Sequence, residues 1–93
     1  MQFEWDKEKA KANLKKHGVS FEEAKTVFGD SLARIFDDEE HSFGEKRNGI
    51  VGHSIHKRLL IVSFTDREND TIRIISARET TPKERSKYEN ANG

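Results

Sequence analysis

The residues of this chain with chemistry to offer are cations and proton-transfer groups: Lys9, Lys16, His17, Arg47, Arg73, Arg78 and Arg85, with Glu45, Glu84 and Tyr88. Metal-independent RNA cleavage needs little more. A base takes the proton from the 2′-hydroxyl, a cation stabilises the extra charge on the pentavalent phosphorus, and an acid protonates the leaving 5′-oxygen. Arginine suits the second role because its planar fork donates to two phosphate oxygens and never loses its charge.

Arg73 stands out because it interrupts the most strand-like run, Thr71-Ile72-Arg73-Ile74-Ile75-Ser76-Ala77-Arg78. Burying a guanidinium without a partner costs several kcal/mol, against a total stability of about 5–15 kcal/mol for a domain of this kind. Arg73 therefore pairs with a carboxylate or faces an open surface where it meets an anion. Strand periodicity puts Arg73, Ile75 and Ala77 on one face and Ile72, Ile74 and Ser76 on the other, with Arg78 past the regular run. The bland alternative for Arg78 is a surface pair with Glu79 or Glu84. For His17 it is a helix C-terminal position against the last carbonyls and the dipole.

Competing chemistries lack their signatures. Neither a phosphate loop nor a dinucleotide fingerprint occurs, and no serine sits in a strand-to-helix elbow. Of His17, His41, His53 and His56, only the last two are close, and their spacing suits a helix face rather than the hairpin where they lie. Cysteine is absent, so no thiolate site or disulfide framework is available. No metal or cofactor is expected. Trp5 and the phenylalanines can stack on bases, but core duty claims most of them.

That core is thin. Leu, Ile, Val and Phe make up 21 of 93 residues and charged residues 37%, just above the composition at which disorder sets in. One small folded domain spanning residues 1–93 is expected, without an apolar run long enough to span a membrane or a basic-then-apolar leader; the location expected is cytoplasmic. Zero net charge conceals asymmetry: residues 1–20 carry +2, residues 21–45 carry −6 and residues 46–93 carry +4. Positive ends flanking an acidic middle are compatible with an anionic partner.

The elements that must position these groups are legible in outline. Gln2 to Trp5 reads as a strand, and Asp6 as the N-cap of a helix running to about Lys16 or His17, stopped by Gly18. Its face of Ala10, Asn13, Leu14 and His17 is too polar for an ordinary core stripe, so Asn13 and His17 are expected to make specific hydrogen bonds. Ser20 and Glu23 form a capping box for a helix ending at Gly29. Strands follow at Leu32–Phe36, 45–55, 59–65 and 71–78, linked as an antiparallel meander. Thr81, Pro82 and Glu84 open a last helix reaching about Asn90, after which residues 91–93 should fray. The order predicts an α+β fold with the helices on one side of an antiparallel sheet.

Phe3-Glu4-Trp5-Asp6, Lys9, Asn13, Lys16-His17-Gly18-Val19, Phe21-Glu22-Glu23-Ala24, the Ile72–Arg78 run, Thr81, Glu84-Arg85 and Tyr88 together resemble the BrnT family of bacterial toxins. Weaker similarity at His41-Ser42, Glu45, Arg47 and Gly52 joins the two ends. The resemblance implies a RelE-like α+β fold with four to five antiparallel strands, two N-terminal helices and one C-terminal helix. It also implies a type II toxin that cleaves RNA and blocks translation. The implied partner is a BrnA-type ribbon-helix-helix antitoxin, through which operator DNA is bound only indirectly. Arg73 and Arg78 match the strand motif and are the candidates for phosphate stabilisation; His17, Glu45 and Tyr88 are acid–base candidates, and Lys16, Arg47 and Arg85 are candidates for RNA contact. The alternative is a noncatalytic binding module or corepressor subunit. Neutral net charge sits awkwardly with tight RNA binding by the chain alone.

Overall fold

The computed structural model describes residues 1–41 and 44–92; Ser42, Phe43, Gly93 and the side chains of His41 and Asn92 lie outside the described residues. Asp6 nucleates the first helix, α1 (Lys7–His17), by accepting the backbone N–H groups of Glu8 and Lys9 at 2.8 and 3.0 Å. Gly18 ends it in the left-handed region, at φ +69°, where a Cβ is penalised. The polar face of α1 has a purpose at Asn13, which is buried. Its amide nitrogen donates to the carbonyls of Val19 (2.9 Å) and Ala77 (2.8 Å), and its oxygen accepts the Ala77 N–H at 3.0 Å.

Ser20 caps α2 (Phe21–Lys25) by accepting the Glu23 N–H at 3.0 Å, but the expected return bond is not made. The buried Glu23 carboxylate instead takes the Arg58 guanidinium and the Ser54 hydroxyl, the latter at 2.7 Å. A two-pronged charged pair outcompetes one backbone N–H, and Arg58 holds the Glu23 carboxyl below its ordinary range. The helix also stops short of the expected length: Thr26–Gly29 is a 3₁₀ turn. There Thr26 donates to the Glu23 carbonyl (2.6 Å) and accepts the Ile55 N–H (3.0 Å).

Five strands form one sheet in the order β1-β5-β4-β3-β2: β1 Gln2–Glu4, β2 Arg34–Asp37, β3 Asn48–His53, β4 Leu59–Arg67 and β5 Thr71–Glu79. The meander from β2 to β5 is antiparallel as expected. The sheet as a whole is mixed, however, because β1 lies parallel to β5. The two N-terminal helices carry the chain from one edge of the sheet to the other, and the meander brings it back beside its start. Asn69 and Asp70, with φ +61° and +53°, make the tight β4–β5 turn, a conformation Asn and Asp tolerate.

Val19, Phe21, Ala24 and Val27 pack against Ile50, Leu60, Val62, Phe64, Ile72, Ile74 and Ala77 on one face of the sheet. Trp5 meets Phe21 edge-on, and Phe28 lies between Phe3 and Phe64, so these aromatics serve the core. The faces of β5 differ in one respect from those expected of a regular strand. Ser63 pairs with Ser76 while Phe64 pairs with Ile74, leaving Ile75 as an extra residue in β5. A bulge of this kind reverses the alternation beyond it. Ala77 thus joins Ile72 and Ile74 in the core, and Ser76 and Arg78 come to the face that carries Arg73.

The last helix, α3 (Pro82–Asn92), runs two residues beyond the expected end. Both arms of its capping box form: Thr81 Oγ1 accepts the Glu84 N–H (3.2 Å) and Glu84 accepts the Thr81 N–H (2.9 Å). It does not join the other helices. Tyr88 buries itself beside Val51 and Ile61, on the face opposite the core, and donates its hydroxyl to the Leu32 carbonyl at 3.1 Å. Helices therefore cover both faces. No described helix is long and apolar enough to cross a membrane.

Candidate active site

The second face of the sheet holds a cleft of about 420 Å³ lined by His17, Phe36, Asp38, Arg47, Ser76, Arg78 and Glu84 among others. Each wall has a local cause. His17 ends α1, which Asn13 ties to Ala77 on β5. Arg78 faces the cleft because of the Ile75 bulge. Arg47 and Asp38 meet where the β2–β3 ladder continues, the Asp38 N–H donating to the Arg47 carbonyl at 3.0 Å. Phe36 can lie across β3 only because position 49 is glycine: a Cβ there would fall 2.2 Å from the ring.

Glu84 grips Arg78 bidentately, Oε1 to Nη1 at 2.8 Å and Oε2 to Nη2 at 2.9 Å, and Nη1 also donates to the Glu79 carbonyl. The pairing raises the Arg78 pKa and, with the Thr81 N–H, pulls the Glu84 carboxyl down to about 2. A depressed carboxyl contributes stability that is complete above its unfolded pKa and lost as the pH falls through the folded one. That contribution is expected to disappear between about pH 4.5 and 2. Urea unfolding across this window should show wild type losing more stability than Glu84→Gln; equal pH slopes would refute the assignment.

The remaining sequence candidates lie elsewhere. Arg73 shares the open face, but it pairs with Glu4, its cross-strand neighbour on β1, at 2.7 Å and does not line the cleft. It lies five positions from Arg78, about 15 Å along a strand. Glu45 pairs with Arg67 beside an acidic hollow of Glu4, Asp66 and Glu68. Tyr88 is buried with its hydroxyl bonded, Lys16 is exposed, and Arg85 pairs with Glu89 along α3 at 3.5 Å. Among the described residues no group of three or more His, Cys, Asp or Glu side chains is placed to hold a metal ion. Sequence reasoning did not place Phe36, Asp38, Ser63 and Ser76 in the site. For Phe36 a signal existed: an in-strand glycine marks a close approach. For Ser76 none did, since the bulge carries no sequence mark.

A family model described as the ribonuclease toxin BrnT of type II toxin–antitoxin systems matches residues 5–84. The crystal structure of the Brucella abortus ribonuclease toxin BrnT superposes with a TM-score of 0.69 at 22% identity, over 87% of this chain and 97% of that one. At that identity the likeness speaks for the fold. No curated protein matches at the sequence level.

Proposed function

Because this chain belongs to the BrnT family of ribonuclease toxins of type II toxin–antitoxin systems, we propose that it cuts RNA in the cleft between α1, β5 and the β2–β3 edge. The observation that carries this reading is the convergence of Arg78, Arg47 and His17 on one concave surface. Arg78 and Arg47 bind the scissile phosphate and stabilise the phosphorane. His17 exchanges the proton: neutral, it takes the 2′-hydroxyl proton as that oxygen attacks phosphorus, and protonated, it returns it to the departing 5′-oxygen. The products are a 2′,3′-cyclic phosphate and a free 5′-hydroxyl. No step requires a metal. Arg73 serves the β1–β5 junction through Glu4, and Glu45 and Tyr88 hold structure rather than move protons.

The fold is RelE-like in this reading, and a BrnA-type ribbon-helix-helix antitoxin neutralises the toxin in the cytoplasm and links it to operator DNA. Expression without the antitoxin is expected to arrest growth and degrade RNA, and purified protein to leave cyclic phosphate ends at an undiminished rate in EDTA. Normal growth with intact RNA, from folded protein, would sink the proposal. Cleavage abolished by EDTA and restored by a divalent ion would remove the metal-independent step alone. A noncatalytic corepressor is the second reading, favoured by the Glu84 carboxylate already occupying the Arg78 fork. It predicts antitoxin binding without any RNA cleavage.

A further inference from the structure

A second concavity adjoins the cleft. A groove of about 440 Å³ runs between α3 and strands β2 to β4, walled chiefly by Phe36, Val51, Ile61 and Tyr88, with Arg34 and Lys87 also in its lining. It shares Phe36, Ile61 and Glu84 with the cleft, so the two form one continuous surface. Their chemistry differs. The cleft presents Arg47, Arg78 and His17, whereas the groove is predominantly apolar and falls in the size range of small-ligand sites.

Phe36 stands at the junction. Phe3, Phe21, Phe28 and Phe64 are spent in the core, but Phe36 is 43% exposed on an edge strand. Its ring lies over Gly49, an arrangement any larger residue at position 49 would displace. A flat, exposed aromatic face beside the Arg47 and Arg78 guanidinium groups matches an RNA nucleotide, whose charge resides on the phosphate and whose base offers a π-face. An apolar peptide would fill the groove without needing the arginines next to it. A bare anion would use the arginines without the groove.

We propose that the groove is a nucleobase subsite, in which a base flanking the scissile phosphate stacks on Phe36 while its phosphate lies against Arg47 and Arg78. This rests on the cleft being the RNA site. Stacking is sequence-tolerant, so the subsite contributes affinity and register more than base identity.

The test measures binding by fluorescence anisotropy of short 2′-O-methyl RNA, which cannot be cleaved, and of the same oligomer with one abasic nucleotide scanned along it. Wild type is expected to bind the intact oligomer at least roughly ten-fold more tightly than the oligomer abasic at one particular position. Phe36→Ala should erase that difference, Phe36→Trp should keep it, and Gly49→Ala, which pushes the ring aside, should reduce it. Arg78→Ala should weaken intact and abasic oligomers alike. If Phe36→Ala lowers both affinities equally, or neither, the subsite is overturned and the cleft stands. If the abasic penalty depends on Phe36 while Arg78→Ala and Arg47→Ala bind normally, a base stacks on Phe36 but the cleft is not the RNA site, and both the cleft reading and the subsite's phosphate placement are overturned. Absence of binding to either oligomer by the wild type overturns both. Loss of antitoxin binding in Phe36→Ala, with no abasic penalty in the wild type, reassigns the groove to a protein partner and overturns the proposal.

Discussion

Arg78→Ala is expected to reduce RNA cleavage by about 10²–10³-fold, the usual effect of removing one preorganised donor from a developing oxyanion, while leaving the protein folded. Arg78→Lys keeps the charge but loses the fork and should fall between. The informative comparison is Arg73→Ala. Arg73 was the more conspicuous residue, a charge among isoleucines, yet its fork meets Glu4 outside the cleft. Its side chain is 30% exposed and that of Glu4 42%, so losing the pair should cost no more than about 1 kcal/mol. Cleavage by Arg73→Ala should stay within a few-fold of wild type. Single-turnover cleavage of a defined oligomer, with urea unfolding as the control for stability, separates the two variants. A reversed ranking, with Arg73→Ala inactive and Arg78→Ala active, would refute the location of the site.

Asn13→Ala is expected to destabilise the protein by about 2–4 kcal/mol, a large share of what a domain of this size possesses. The size follows from what one side chain does. β1 accompanies β5 only from Thr71 to Arg73, so beyond that point this side of β5 has no strand neighbour. The Asn13 amide replaces one, bonding both the N–H and the C=O of Ala77 and also the Val19 carbonyl. Its removal leaves three buried backbone groups without their side-chain partner, and each unsatisfied group costs about 1–3 kcal/mol before relaxation or water entry. Asn13→Asp retains the acceptor but loses the donor and buries a carboxylate, so it should be no better. Urea denaturation at neutral pH measures both. A loss under about 0.5 kcal/mol would mean that β5 does not need the amide. Asn13 also holds α1 against the residue preceding Arg78, so cleavage in Asn13→Ala should decline even where the protein remains folded. The cause would be displacement of His17 relative to Arg78.

The local elements were legible because their signals are local. Asp6, Gly18, Ser20, Thr81 and Pro82 mark helix ends through backbone groups within a few residues of themselves, and the structure places those ends accordingly. The anomaly at Asn13 was also visible, as a buried-face position too polar for a core stripe. Its partner, 64 residues away, was not. Glu23 shows the same boundary from the other side. Ser20 does accept the Glu23 N–H, but the carboxylate expected to reach back to Ser20 is taken by Arg58, a residue 35 positions along the chain that the sequence does not connect to it.

By itself, then, the sequence determined an α+β fold, the starts of its helices, the meander of its last four strands and a family resemblance strong enough to direct attention to arginines on one strand. Only the tertiary structure decided which arginine enters the cleft. That outcome depends on one extra residue, Ile75, which reverses the side-chain alternation of β5 and brings Arg78 to the face reached by His17 and Arg47. It depends also on the parallel pairing of β1, which sets Glu4 beside Arg73 and neutralises it. Both are questions of register between segments far apart in sequence. Strand periodicity can say which neighbours share a face, but a bulge is selected by how the whole sheet packs, and no residue within β5 announces it.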